Sequence, residues 1–136
     1  MDDPRAAHVK VLVVASDHVG SRMAGPGIRS HRFAVELAPR LDVTLCVPYE
    51  TDMEPKGFRM VVENPYSSQA MTRLARQFDV VLSQRLPYPT IRALAGRTRM
   101  VFDLYAPWTI ENLAFDWGRT LTRIAHEIVE RNKGVD

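Results

Sequence analysis

Cysteine is nearly absent from this sequence, and so are long apolar runs. The 136 residues include one cysteine, Cys46, so no disulfide framework is available and a reduced, cytoplasmic protein is expected. Cys46 lies inside the apolar stretch 43–47, where a buried and inert thiol is the expectation. No apolar run approaches the roughly eighteen residues of a transmembrane helix. The sequence therefore predicts no membrane span and no secretion signal, and it leaves peripheral membrane contact open.

A strong excess of one charge sign is also missing. The 18 basic and 16 acidic residues leave a net charge of +2, a balance that does not indicate a nucleic-acid partner. The four histidines and one cysteine show no metal-ligand spacing, so no metal site is expected. The chain also lacks the Gly-x-Ser-x-Gly of a nucleophile elbow and the Gly-x-Gly-x-x-Gly of a dinucleotide site. Neither a catalytic residue nor a cofactor is predicted.

The stretch 9–29 organises the chain. Residues 11–15 form an unbroken β-branched and aliphatic run, too short for a helix, which predicts a strand buried on both faces. Polar residues 16–18 follow at once, and the Gly-Pro-Gly motif at 25–27 then leads into an apolar helical pattern. A buried strand, a glycine-containing loop and a helix N-terminus form the entry of an α/β nucleotide-type fold. Ligands of such folds lie beyond the carboxyl ends of the strands, so this loop is the first candidate site.

Strands and helices alternate along the rest of the chain. We predict strands at 10–16, 41–47, 58–62, 79–83 and 99–104. Helices are predicted to begin near Gly27 or Ile28, after a cap at Ser67 or Ser68, and at Pro89, with Gly96 just past the end of the third. A short helical turn at 109–113 and a last helix carrying Leu121, Ile124, Ala125, Ile128 and Val129 complete the pattern.

This alternation predicts the α/β class. We expect a Rossmann-like parallel sheet of about five strands with helices on both faces, and right-handed crossovers give the strand order 3-2-1-4-5. At 136 residues the chain is expected to form a single domain spanning 1–136, large enough to bury about two-thirds of its unfolded surface.

Two segments of the sequence resemble a known family. The first lies within residues 10–45 and consists of Lys10–Asp17, Gly25-Pro-Gly-Ile-Arg29 and the stretches 33–38 and 42–45. The second lies within residues 101–113 and consists of Val101-Phe-Asp-Leu-Tyr-Ala-Pro-Trp108 and Glu111-Asn-Leu113. Over roughly residues 9–115 they resemble the start of the GT-B-fold glycosyltransferases of the large retaining family four. The resemblance implies an N-terminal, acceptor-side domain, with the nucleotide-sugar bound by a second domain. The donor-domain signature, two glutamates separated by seven residues, is absent, so this chain is expected to be inactive alone.

Gly25, Gly27 and Arg29 are the first candidate substrate-binding residues. Glycine lets the backbone approach a ligand closely, and a helix N-terminus offers free N–H groups. Arg29 adds a forked cation suited to phosphate or carboxylate. In the resembled family this loop faces the donor diphosphate and the acceptor. The alternative interpretation is a tight turn with a solvated arginine.

Asp17, His18 and Arg85 are candidates at the ends of strands one and four. A carboxylate at position 17 can accept a hydrogen bond from a sugar hydroxyl, and an imidazole at 18 can donate or accept. The alternative for this pair is loop capping. Arg85 occupies a place where the resembled family often presents polar substrate-contacting groups, although many members have a histidine in that region.

Asp103 and Tyr105 are the candidates near strand five. Asp103 is predicted to lie within that strand, where a buried carboxylate needs partners. It either orients the loop 105–108 or reaches the cleft. Tyr105, together with Trp108, is a candidate apolar platform for a sugar ring, and the alternative is the edge of the core.

Two other classes of function stay open. One is a stand-alone flavodoxin-like interaction or scaffold module without chemistry, for which an exposed edge at strand five would favour a homodimer. A phosphoacceptor receiver is one such module, but the sequence supports it poorly, because the chain offers only Asp17 after strand one and no lysine near Leu104. The other class is a small nucleotide-dependent enzyme, but the crevice of a single domain is short for tight binding.

Overall fold

Residues 9–104 fold as a five-stranded parallel sheet with helices on both faces. The computed structural model describes residues 9–104. In chain order the elements are β1 (Lys10–Val14), α1 (Gly25–Leu37), β2 (Asp42–Val47), β3 (Arg59–Val62), α2 (Ser68–Ala75), β4 (Val80–Ser83), α3 (Tyr88–Leu94) and β5 (Arg99–Phe102). The strand order is β3-β2-β1-β4-β5 and every pairing is parallel. The predicted fold class and strand order are confirmed.

β1 is the central strand, and its side chains alternate between two apolar layers. Val11 and Val13 face α1 in one layer, with Ala34 of that helix buried against them. Leu12 and Val14 face α2 and α3 in the other layer. Because both faces of β1 are covered, its sequence shows a continuous apolar run instead of an alternating one.

Cys46 lies on the α2–α3 face of β2 and is buried, as predicted. Burial raises the pKa of the Cys46 thiol to about 12, with the negative charge of Glu63 adding to the effect. A thiol that stays protonated at neutral pH is a poor nucleophile and a poor metal ligand. Cys46 is therefore a packing residue.

The predicted cap of the second helix and the predicted proline and glycine at the ends of the third are confirmed, although α3 starts one residue earlier, at Tyr88. Ser67 caps α2, since its side chain accepts a hydrogen bond from the N–H of Ala70. Pro89 lies in the first turn of α3, and Gly96 follows its end with φ of +77°, a conformation that glycine adopts without strain.

Each strand is one or two residues shorter than predicted, and two boundary differences concern candidate site residues. α1 begins at Gly25 and not at Gly27 or Ile28, because Pro26 forms part of its first turn and its fixed φ suits a helix start. The Gly-Pro-Gly motif is thus the first turn of a helix and not a loop. Asp103 follows β5, which ends at Phe102, so its placement within the strand was wrong. The predicted turn at 109–113 and the last helix lie outside the described residues.

Candidate functional site

The loops after β1, β3 and β4 meet at one edge of the sheet. Strand order reverses at β1, since β2 and β3 lie on one side of it and β4 and β5 on the other. The chain therefore leaves β1 toward α1 on one face and leaves β4 toward α3 on the opposite face. A crevice between diverging loops at such a switch point is where doubly wound sheets bind ligands.

Gly27 allows α1 to pack directly against the loop that follows β1. A Cβ atom at this position would lie 2.1 Å from the carbonyl oxygen of His18, far inside the normal contact distance. At Gly25 the same atom would meet nothing within 4 Å. The close backbone approach predicted for this motif therefore serves a contact inside the protein at Gly27, while Gly25 borders open space.

Arg29 of α1 binds the carboxylate of Asp103 with both arms of its guanidinium. Nε donates to Oδ2 at 2.7 Å and Nη2 donates to Oδ1 at 2.6 Å. These hydrogen bonds and the positive charge of Arg29 hold the pKa of Asp103 below its ordinary value, against the opposing effect of burial. The pair joins the first turns of α1 to the end of β5. The anion that Arg29 holds in this structure is thus supplied by the chain itself.

Gln84, directly after β4, lies beside this pair. Its amide contributes weakly to the lowered pKa of Asp103, although Nε2 is buried and makes no hydrogen bond of standard geometry within residues 9–104. Its Oε1 lies 3.5 Å from Oγ of Ser16, at the limit of a hydrogen bond. Gln84 thus bridges the ends of β1 and β4 through weak polar contacts.

Hydrogen bonds within the chain hold the loop between β1 and α1. The backbone N–H of His18 donates to Oδ1 of Asp17 at 2.8 Å, so Asp17 caps the loop as its alternative interpretation predicts. Further along, both the N–H and the hydroxyl of Ser21 donate to Asp52, which follows β2. These two hydrogen bonds lower the pKa of the exposed Asp52 carboxyl.

A cavity of about 300 Å³ opens on the other side of the switch point. Ser16 lines it from the end of β1, Pro65 and Tyr66 from the loop after β3, and Leu86 and Pro87 from the loop after β4. The remaining lining residues are Ser68, Arg85 and Pro89. Most of this wall is made of ring or aliphatic side chains, with a few hydroxyls and one guanidinium among them. That composition is typical of sites for small organic molecules.

Local hydrogen bonds fix the walls of this cavity. The Tyr66 hydroxyl donates to the carbonyl of Ser16 at 3.0 Å, which ties the loop after β3 to the end of β1. Ser83 shapes the loop after β4, because its hydroxyl donates to the carbonyl of Arg85 and accepts from the N–H of Arg85. These hydrogen bonds hold the loops that form the cavity in place.

The predicted site residues thus fall into separate groups. Asp17, His18, Gly25, Gly27 and Arg29 belong to the β1–α1 loop and helix, Asp103 joins them through Arg29, and Arg85 lines the cavity. Tyr105 lies outside the described residues. Sequence analysis missed Ser16, Tyr66 and the prolines of the cavity. The one signal available for them was position, since each follows or neighbours the carboxyl end of a predicted strand.

Among residues 9–104, no three histidine, cysteine, aspartate or glutamate side chains cluster closely enough to hold a metal ion. Over the same residues, no helix combines the length and the apolar character needed to cross a membrane.

Comparison with known proteins identifies no family. No protein-family model and no curated protein matches the chain. Two matching solved structures are of the MycE methyltransferase from the mycinamycin biosynthetic pathway, in complex with Mg and SAH and, in the second, also with mycinamycin VI. Identity is 17% and 16%, coverage is 67% and 62% of this chain, and the TM-scores are 0.46 and 0.40. The chain spans only about a quarter of those structures, 27% and 23%, and a likeness at this level says nothing about function.

Proposed function

We propose that this chain is the acceptor-side, N-terminal domain of a cytoplasmic GT-B glycosyltransferase of the family-four type. In this proposal it binds and orients the acceptor, a second domain binds the nucleotide-sugar, and the sugar is transferred in the cleft between them. The observation that carries the proposal is the cavity at the switch point between β1 and β4. The resemblance of the sequence to the start of these enzymes supports it.

The position of the cavity suits this role. It opens at the carboxyl end of the sheet, where Ser16 and Arg85 follow neighbouring strands. A volume of about 300 Å³ is at the small end of the range for ligand sites, so it suits one ring or one sugar residue. Apolar faces of proline and tyrosine can pack against a ring, while hydroxyls at its rim fix the orientation of the acceptor hydroxyl.

The test uses the natural protein in which this chain occurs. It is incubated with a panel of uridine, guanosine and thymidine diphosphate sugars and a mixture of hydroxylated acceptors, and both nucleoside diphosphate release and acceptor mass are measured. We expect a gain of one sugar mass with one donor class. No transfer with any donor would contradict the proposal.

A pair of variants links that activity to the cavity. Ser68→Phe places a ring in the cavity and is expected to raise the acceptor KM by about tenfold or more, with the donor KM unchanged. Gln77→Phe is the control, because this exposed residue lies past the end of the same helix and away from the cavity. An equal rise of the acceptor KM in both variants would show that the acceptor does not bind in the cavity.

One observation favours the second candidate, a stand-alone flavodoxin-like interaction module. Among residues 9–104, β5 lies at the edge of the sheet, and Val101 and Leu104 are 50% and 54% exposed there. An open strand edge beside apolar side chains is a template for pairing with a second copy. Light scattering at high protein concentration tests this candidate: a dimer supports it, and a monomer removes its support.

A further inference from the structure

Positive charge is concentrated in the half of the fold that carries α2 and α3. Residues 64–102 include six arginines and a single acidic residue, Asp79. Asp79 precedes β4, so it lies at the opposite edge of the sheet from the cavity, where it accepts a hydrogen bond from the N–H of Lys10. With six arginines against this one carboxylate, the segment carries a strong excess of positive charge.

Two of these arginines line a groove that adjoins the cavity. The groove has a volume of about 430 Å³ and is bordered by Ser68, Gln69, Thr72, Arg73, Arg76 and Pro89. Ser68 and Pro89 also line the cavity, so the two spaces share a wall. A ligand seated in the cavity can extend past this wall toward the guanidinium groups.

The groove is built on helices that are fixed to each other. The Thr90 hydroxyl of α3 donates to the carbonyl of Ser68, and the Thr72 hydroxyl of α2 donates to the Thr90 oxygen, both at 3.1 Å. Thr90 is fully buried, so these bonds are protected from water. Arg73 lies in the last turn of α2, and Arg76 is the C-cap residue, which keeps helical backbone angles. This three-residue spacing brings the two side chains to neighbouring positions. Two guanidinium forks side by side suit the oxygens of one anionic group.

We propose that the cavity and the groove form one binding site for an acceptor that combines a ring with an anionic group. The ring lies among Pro65, Tyr66 and Pro87, and a phosphate or carboxylate on it is bound by Arg73 and Arg76. This inference rests on the proposed function only in calling the ligand an acceptor. The binding site itself is formed by Ser16 and by residues within 65–89.

The test is a titration of the full chain with phenyl phosphate, phenol and inorganic phosphate, followed by amide chemical shifts. Phenyl phosphate is expected to shift the signals of Tyr66, Ser68 and Arg73 together, with a Kd at least about tenfold lower than that of either half-ligand. A Kd for inorganic phosphate equal to that of phenyl phosphate would overturn the proposal, because it would show an anion site without a ring site. The absence of any shift at the cavity would overturn it as well.

Charge-neutral variants locate the anionic group. Replacing both groove arginines, as Arg73→Gln with Arg76→Gln, is expected to weaken phenyl phosphate binding about fivefold and to leave phenol binding unchanged. The matched control replaces Arg97 and Arg99, which are exposed, belong to the same arginine-rich segment and do not border the groove. Equal weakening by the control pair would show general charge attraction and contradict the site.

Binding and transfer can fail separately. Phenyl phosphate bound at the groove without any sugar transfer by the natural protein would remove the glycosyltransferase assignment and keep the site. Sugar transfer without this binding would keep the assignment and remove the anionic acceptor.

Discussion

The two sides of the switch point differ in the space that they leave for a ligand. On the α1 side, Arg29 is bound to Asp103, and Asp17 caps its own loop. Ser21 likewise binds Asp52. On the α2–α3 side, a cavity of about 300 Å³ stays open between rings and hydroxyls. A side chain with the chemistry to bind a ligand is therefore not evidence of a site until its partners inside the fold are known.

The largest expected effect on stability is at Gly27, on the α1 side. Gly27→Ala places a methyl group 2.1 Å from the His18 carbonyl oxygen, so α1 must move away from the loop. We expect a loss of about 3 kcal/mol in the free energy of unfolding, measured by urea denaturation.

Gly25→Ala is the matched control, since both glycines lie in the first turn of α1 and only one is crowded. It is expected to change stability by less than about 0.5 kcal/mol or to stabilise slightly. Similar losses for both substitutions would contradict the packing role of Gly27.

The Arg29–Asp103 pair gives the next effect. Asp103→Asn removes the charge from a pair whose side chains are 41% and 14% exposed, and we expect a cost of about 1 kcal/mol after allowance for solvent. The control is the pair of Arg59 with Asp42, also 2.6 Å apart but 66% and 36% exposed. Asp42→Asn is expected to cost less than about 0.5 kcal/mol. An equal cost in both pairs would show that burial of Asp103 adds nothing.

The Arg29–Asp103 pair also makes the free energy of unfolding depend on pH. Since the folded pKa of Asp103 lies below its ordinary value of 3.8, its contribution to stability is complete above that pH and is lost as the pH falls through the folded value. The difference in unfolding free energy between the natural protein and Asp103→Asn is thus expected to be constant near neutral pH and to shrink in acid. Carboxyl carbon titration by NMR measures the pKa directly. A value at or above 3.8 would contradict the bidentate pair.

The smallest effect on stability is expected at Tyr66, on the α2–α3 side. Tyr66→Phe deletes a hydroxyl that donates to the Ser16 carbonyl from an exposed ring, and we expect a cost of about 0.5 kcal/mol. Urea denaturation of this variant beside Gly27→Ala compares the two sides directly. A larger loss at Tyr66 would show that the cavity wall is a structural core and not a tolerant binding surface.

The fold could be predicted because its signals are local and repeated. The apolar run 11–15 indicated a strand covered on both faces, and alternation of strands and helices then fixed the order of the sheet. The start of α1 could not be placed correctly from the glycines alone, because Gly-Pro-Gly fits both a loop and a helix first turn. The fixed φ of Pro26 favours the helix.

The candidate site was less predictable because it depends on contacts between distant residues. Arg29 and Asp103 are 74 positions apart, and no sequence pattern predicts that they bind each other. Tyr66 and Ser16 are likewise 50 positions apart. The cavity residues are serines, prolines and a tyrosine, which also occur in ordinary loops. Their common feature is the edge of the sheet at which their loops meet.

The central claim is that ligands bind in the cavity on the α2–α3 side of the switch point. Hydrogen–deuterium exchange of the full chain, measured with and without saturating phenyl phosphate, tests it most directly. We predict slower exchange in the segments 65–69 and 84–89, and unchanged exchange in 18–29. Protection confined to 18–29 would place the ligand on the α1 side and contradict the account.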